Sequence, residues 1–142
     1  MRHFLQLRDC SRAQAEQIIQ GGWVRVDGVV VEEPQFRVAA QTVAIDPDAS
    51  LLELVPVTLL LHKPPGVHSE AAHTLLAAAT HMAKDPAGIR VLKLHFAKLI
   101  PGAPLEPAAS GLMVFTQDWR VARKLQEDAS TMEHELLVEV AG

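Results

Sequence analysis

The chain has 142 residues, room for one domain or two small ones. Apolar residues make up 49% and charged residues 21%, enough to bury a core and too apolar for compositional disorder. A net charge of -4, with two Trp, four Phe and no Tyr, excludes a basic tail and a broad base-stacking platform. Any nucleic-acid site must therefore be a local patch. Cys10 is the one cysteine, which excludes an internal disulfide or multi-cysteine zinc site and points to a reduced, cytoplasmic setting. Arg8 and Asp9 interrupt the first apolar stretch, so no secretory signal is read there. The longest apolar stretch, Leu51 to Leu61, contains Glu53 and Pro56 and is too short to span a bilayer. Membrane function is not expected.

Residues 1–50 read as an α-then-β unit. A first helical turn or two is expected around Phe4, Leu5 and Leu7. Ser11 stands at an N-cap position, and Ala15, Ile18 and Ile19 fall at helical spacing between Arg12 and Gln20. Gly21-Gly22 then stops the helix. Trp23 to Val26, Asp27-Gly28, and Val29 to Val31 together make a strong hairpin signal. Phe36 to Ile45 reads as further extended chain and Asp46-Pro47-Asp48 as a turn. A linker follows from Pro47 to Val55, in which Leu51, Leu52 and Leu54 point to packing.

The second part opens with a strand pattern, Val57 to Leu61, closed by His62-Lys63-Pro64-Pro65-Gly66. Ala71 to Lys84 is Ala-rich and expected to be helical, and Ile89, Leu92, Phe96 and Leu99 fall at helical spacing. Leu112 to Phe115 reads as a strand, Trp119 to Leu125 as a short amphipathic helix, and Leu136 to Val140 as a last strand. Strands alternating with helices imply an α/β or α+β fold. The chain stops two residues after that last strand pattern.

Four features bear on chemistry. Arg8, Arg12 and Arg25 lie near a helix start and a tight turn, where backbone N–H groups and guanidinium groups suit a phosphate. The plain alternative is a solvated polar face. The His62 to Gly66 loop is stiffened by two prolines, with glycine allowing close approach; the alternative is a tight connection. Glu106, backed by Ser110 and Gly111 at the rim of a strand, offers a nucleophile or general base; the alternative is a surface turn. His62, His68, Glu70 and His73 fit no zinc spacing, so no metal site is expected, and glycine-rich nucleotide loops are absent.

Cys10-Ser11-Arg12, Ala15-Glu16, Ile19, Gly21-Gly22, Val24 and Val26-Asp27-Gly28 resemble the small RNA-binding domain named after a ribosomal small-subunit protein, the S-four domain. Leu61 to Gly66 resembles the strand-Lys-Pro-x-Gly motif that opens the catalytic domain of RsuA-type pseudouridine synthases. Pro104 to Leu112 resembles that family's Arg-Leu-Asp-x-x-x-Ser/Thr-Gly-Leu segment, Thr116-Gln117-Asp118 its Thr-x-Asp turn, and Glu133 to Val138 its Lys-x-Tyr-Leu-Val strand. Here Glu106 stands at the catalytic Asp position, Pro104 at the Arg, Leu136 at the base-stacking Tyr and His134 at the Lys.

The resemblance implies an α+β chain. A small α-α-β-hairpin RNA-binding domain over residues 1–50 precedes the first part of a mixed-sheet α/β catalytic domain over residues 51–142. It also implies isomerisation of a specific uridine in ribosomal RNA to pseudouridine, on a flipped-out nucleotide, with no cofactor and no metal. Glu106 would be catalytic, with Lys63, Pro64, Gly66, Ser110, Gly111 and Leu136 shaping the pocket, and Ser11, Arg12, Arg25 and Gly28 contacting RNA. The family's catalytic domain continues beyond the length seen here, so the chain is expected to break off within it. An open sheet edge would then invite self-association. Two other functional readings stand beside this one: a non-catalytic RNA-binding protein that has lost the chemistry, and an assembly protein that uses the exposed half-sheet as an interface.

Overall fold

Ser11 caps a helix, α1 (Arg12–Gln20), through a reciprocal capping box. Its Oγ accepts the Gln14 N–H at 3.2 Å, while Gln14 Oε1 accepts the Ser11 N–H at 2.9 Å. The computed structural model describes residues 10–51 and 55–142. The helical turn expected around Phe4, Leu5 and Leu7, the phosphate-facing Arg8, and the packing expected of Leu52 and Leu54 lie outside the described residues.

The buried face of α1 is Ala15, Ile18 and Ile19, which with Val24 form a core cluster flanked by Cys10, Trp23, Val43 and Ile45. The expected hairpin is present as β1 (Val24–Val26) and β2 (Val29–Val31), paired antiparallel with Val26 opposite Val29. Asp27 and Gly28 have φ of 48° and 81°, the two left-handed residues that a two-residue type I′ turn requires. Of the extended stretch expected from Phe36 to Ile45, only β3 (Val43–Ile45) is a strand, antiparallel to the other side of β1. The Thr42 N–H is taken by the Asp27 carboxylate at 2.9 Å, which anchors the approach to β3.

A second sheet is built on β4 (Thr58–Lys63), β5 (Ile100–Pro101) and β6 (Gly111–Thr116), in the order β4-β6-β5. All its pairings are antiparallel, and α2 (Trp119–Glu127) follows, capped by Asp118. Both sheets are antiparallel and the helices stand apart from them in sequence, as an α+β fold requires. The chain gathers into two units, Met1–Val57 with Thr74–Lys98, and Thr58–His73 with Leu99–Gly142.

Four expectations are corrected. His62 and Lys63 belong to β4 rather than to the loop that closes it. The helix expected from Ala71 to Lys84 is replaced by 3₁₀ segments, Ser69–Leu75 and Ala78–Thr80. Alanine methyls offer little area to bury, and only Ala72 of this stretch is in the core. Thr80 Oγ1 also donates to the Leu75 carbonyl at 2.6 Å and accepts the Ala77 N–H at 3.1 Å, closing a turn where a helix would continue. The helical spacing from Ile89 to Leu99 yields only one 3₁₀ turn, Lys93–Phe96, and the two N–H groups at its start go to side chains rather than to a preceding helical turn. The Lys93 N–H is held by Glu32 at 2.6 Å and the Leu92 N–H by His95 Nδ1 at 3.3 Å. Finally, Leu136 to Val140 is irregular and exposed, since a β-prone run makes a strand only where an edge pairs with it.

His95 carries a pH dependence. Because Nδ1 accepts a hydrogen bond, the ring is neutral with its proton on Nε2. Burial holds its pKa below the ordinary histidine value, and the opposing pull of Glu32 is smaller. Below about pH 6.5 the unfolded chain therefore binds more protons than the folded one, so stability is full above that pH and falls as acid is added. Urea midpoints measured from about pH 7 to 5 should fall, and His95→Gln should flatten the decline. An unchanged slope in the variant would assign the decline to another group.

Candidate active-site loops and nucleic-acid surface

Alternation along β4 turns Lys63 to the covered face of its sheet, with Leu59 and Leu61, and its side chain is fully buried. A buried ammonium needs all three donors matched. Lys63 Nζ donates to the carbonyls of Val67 at 2.7 Å, Pro64 at 3.1 Å and Pro107 at 3.3 Å. The first two belong to the Pro-Pro-Gly loop that follows β4, and the third to the loop that precedes β6. Lys63 thus ties together two loops that are 44 residues apart in the chain. Gly66, at a φ of 86° that favours glycine, donates its N–H to the same Pro107 carbonyl at 2.7 Å.

Glu106 sits at the junction of these loops with its side chain exposed. Its neighbours on both sides are pinned. Pro107 is held by Lys63 and Gly66, while Leu105 is held by Ser69, whose Oγ donates to the Leu105 carbonyl at 2.6 Å and accepts its N–H at 2.8 Å. The Ala109 N–H closes a turn on the Glu106 carbonyl at 3.0 Å. No described side chain forms an ion pair with the Glu106 carboxylate. A fixed backbone with a free carboxylate is a geometry for nucleophilic or general-base chemistry on a bound ligand.

Of the residues expected to form the pocket, Lys63, Pro64, Gly66 and Gly111 are brought together, Gly111 being the cross-strand partner of Lys63. Ser110 precedes Gly111 and is exposed, and Leu136 lies in the irregular segment, 78% exposed. Ser69 was not read from the sequence, and nothing in its local neighbours marks it: its partner is 36 residues away. Thr116 is buried, pairs with Thr58 at 2.8 Å and accepts the Asp118 N–H at 3.1 Å, fixing the turn into α2. At that turn Arg120 holds the Asp118 carboxyl below the usual carboxylate range.

In the first unit, the Ser11 hydroxyl is occupied by the capping box. Arg12 is exposed and paired with Glu16 at 3.2 Å on the next turn, a surface pair that is weak and readily exchanged. Arg25 lies on the exposed face of β1 and donates to the Gly28 carbonyl at 3.4 Å, which links it to the turn. Among the described residues no group of three His, Cys, Asp or Glu side chains is placed to hold a metal. No described helix is long and apolar enough to cross a membrane.

Residues 6–43 match the S4 domain. Over 130 residues the chain is 28% identical to an uncharacterized RNA pseudouridine synthase of Aquifex aeolicus (strain VF5), covering 90% of this chain and 51% of that protein. Over 136 residues it is 29% identical to the ribosomal large subunit pseudouridine synthase B of Bacillus subtilis (strain 168), covering 93% of this chain and 51% of that protein. The chain spans about half the length of the curated relatives it matches.

Proposed function

We infer from the S4 match and the two pseudouridine synthase relatives that the chain belongs to the RsuA-type, S4-bearing pseudouridine synthase family. From that premise we propose that it binds ribosomal RNA and takes part in converting a specific uridine to pseudouridine. The observation that carries the proposal is the free carboxylate of Glu106 between two pinned residues, Leu105 and Pro107. Residues 1–50 would be the RNA-binding domain and residues 51–142 the N-terminal part of the catalytic domain. Thr74–Lys98 is then an excursion of the second that gathers with the first unit.

In the proposed reaction the Glu106 carboxylate attacks or deprotonates the flipped-out nucleoside. The bond from the sugar C1′ to N1 breaks, the base turns, and a bond from C1′ to C5 forms. The C5 proton leaves to solvent while N1 gains one, so the reaction is a balanced isomerisation that calls for no cofactor. Lys63, Pro64, Gly66, Ser110 and Gly111 would form the rim of the pocket, and Leu136 would pack against the base. Arg12, Arg25 and the Gly28 turn would hold the RNA backbone, with Ser11 setting the helix start. A cytoplasmic setting goes with this reading, and the outer edge of β4 is the surface through which copies would associate.

A second reading is favoured by one feature. Glu106 stands where the family has aspartate, which suits a binding protein that has lost the chemistry. One experiment separates the two. Tritium release from C5-labelled ribosomal RNA is measured for the chain and for Glu106→Ala, with RNA binding followed in parallel. Release that disappears in the variant while binding persists supports the synthase. Binding without release in either protein supports the binding module.

A further inference from the structure

Five of the Lys and Arg side chains among the described residues, Arg12, Lys93, Arg120, Arg123 and Lys124, form ion pairs with a carboxylate. Arg90 in the first unit is held differently. Its guanidinium lies over the Trp23 ring, 4.2 Å from the centroid, and Nη1 donates to the Gly21 carbonyl at 3.4 Å. No described carboxylate pairs with it. The residues that follow fix it in place. Leu92 is buried against Gly22, the Lys93 N–H is bound by Glu32 at 2.6 Å, and Lys93 Nζ pairs with Glu33. Arg90 to Lys93 is therefore a strap laid on the S4 unit, with the Lys93 ammonium offsetting Glu33 and its backbone N–H holding Glu32.

A guanidinium pinned on an indole face has already lost most of its side-chain freedom, so engaging a ligand costs little further ordering. Its charge is permanent, and its N–H edge beyond the Gly21 bond has the fork geometry that suits a phosphodiester. Arg25, in the same unit, is likewise tied to a backbone carbonyl, that of Gly28, rather than to a carboxylate. We propose that Arg90, carried on this strap, is an RNA phosphate contact of the first unit, extending its nucleic-acid surface beyond the S4 match at residues 6–43. The proposal rests on the RNA-binding reading given above.

The test is fluorescence anisotropy of the full chain with a fluorescein-labelled RNA stem-loop, between about 50 and 200 mM KCl. Arg90→Ala should weaken binding about tenfold and flatten the slope of log K against log salt by about 0.7–0.9. Arg90→Lys should keep most of the slope and lose affinity severalfold, because the charge remains while the stacked fork is lost. Two results overturn the proposal and leave the S4 reading standing. One is an Arg90→Ala variant that binds as the parent does while Arg25→Ala or Arg12→Ala weakens binding. The other is lost affinity with an unchanged slope, which makes Arg90 a structural residue only. A parent chain that binds no RNA overturns both readings.

Discussion

Lys63→Met is expected to destabilise the second unit by about 2–4 kcal/mol while leaving the RNA binding proposed for the first unit intact. Methionine fills a similar volume, so the loss is one of hydrogen bonds rather than of packing. The carbonyls of Pro64, Val67 and Pro107 all lose the Lys63 ammonium, and only Pro107 keeps another donor, the Gly66 N–H. A carbonyl left unmatched out of reach of water costs about 1–3 kcal/mol; the half-buried Val67 carbonyl bears most of this, the exposed Pro64 least, and relief from burying a charge returns part of it. The two tryptophans separate the units, since Trp23 lies in the first and Trp119 in the second. In single-tryptophan variants, the urea midpoint read by Trp119 should fall and that read by Trp23 should hold. Any tritium release should be lost with it, because the clamp sets the position of Glu106. An unmoved Trp119 midpoint would mean that the three carbonyls find water and that Lys63 is not the clamp.

What could be read from the sequence was decided by near neighbours. Ser11 caps α1 through a residue three positions on, and Asp27-Gly28 makes its turn by its own backbone geometry. The strands on either side of that turn pair in the only register a two-residue loop allows. The pattern failed where distant side chains take over the backbone. Residues 89–99 have helical periodicity, yet the Lys93 N–H belongs to Glu32, 61 residues earlier. Ala71 to Lys84 has helical propensity but too little apolar area to hold a helix against the core. At the candidate site the motif residues were legible as types and their roles were not. Lysine is among the residues least often fully buried, so its residue type gives no sign that Lys63 turns inward. Only the fold shows that it turns inward to three carbonyls. Ser69 is the extreme case, an ordinary serine whose partner is reached only through the packing of two loops.

Glu106→Asp is expected to raise the rate of tritium release, by up to about a hundredfold if the pocket is otherwise that of the family. A glutamate carries its carboxylate about 1 Å further from the backbone than an aspartate, and errors of that size cost about two orders of magnitude in positioned catalysis. In a mobile loop the backbone would retract and absorb the difference. Here it is not free to do so, because Leu105 is bonded on both its N–H and its carbonyl to Ser69, and Pro107 is gripped by Lys63 and Gly66. The extra methylene must therefore appear as displacement of the reacting oxygen or as a bent side-chain rotamer, and either raises the barrier. Single-turnover release isolates this step from RNA binding, and Glu106→Gln, which keeps the length and removes the charge, should be as inactive as Glu106→Ala. If Glu106→Asp is slower than the parent, the loops hold Glu106 at the distance its substrate needs. The pinned backbone would then be an adaptation to glutamate rather than an aspartate frame retained around it.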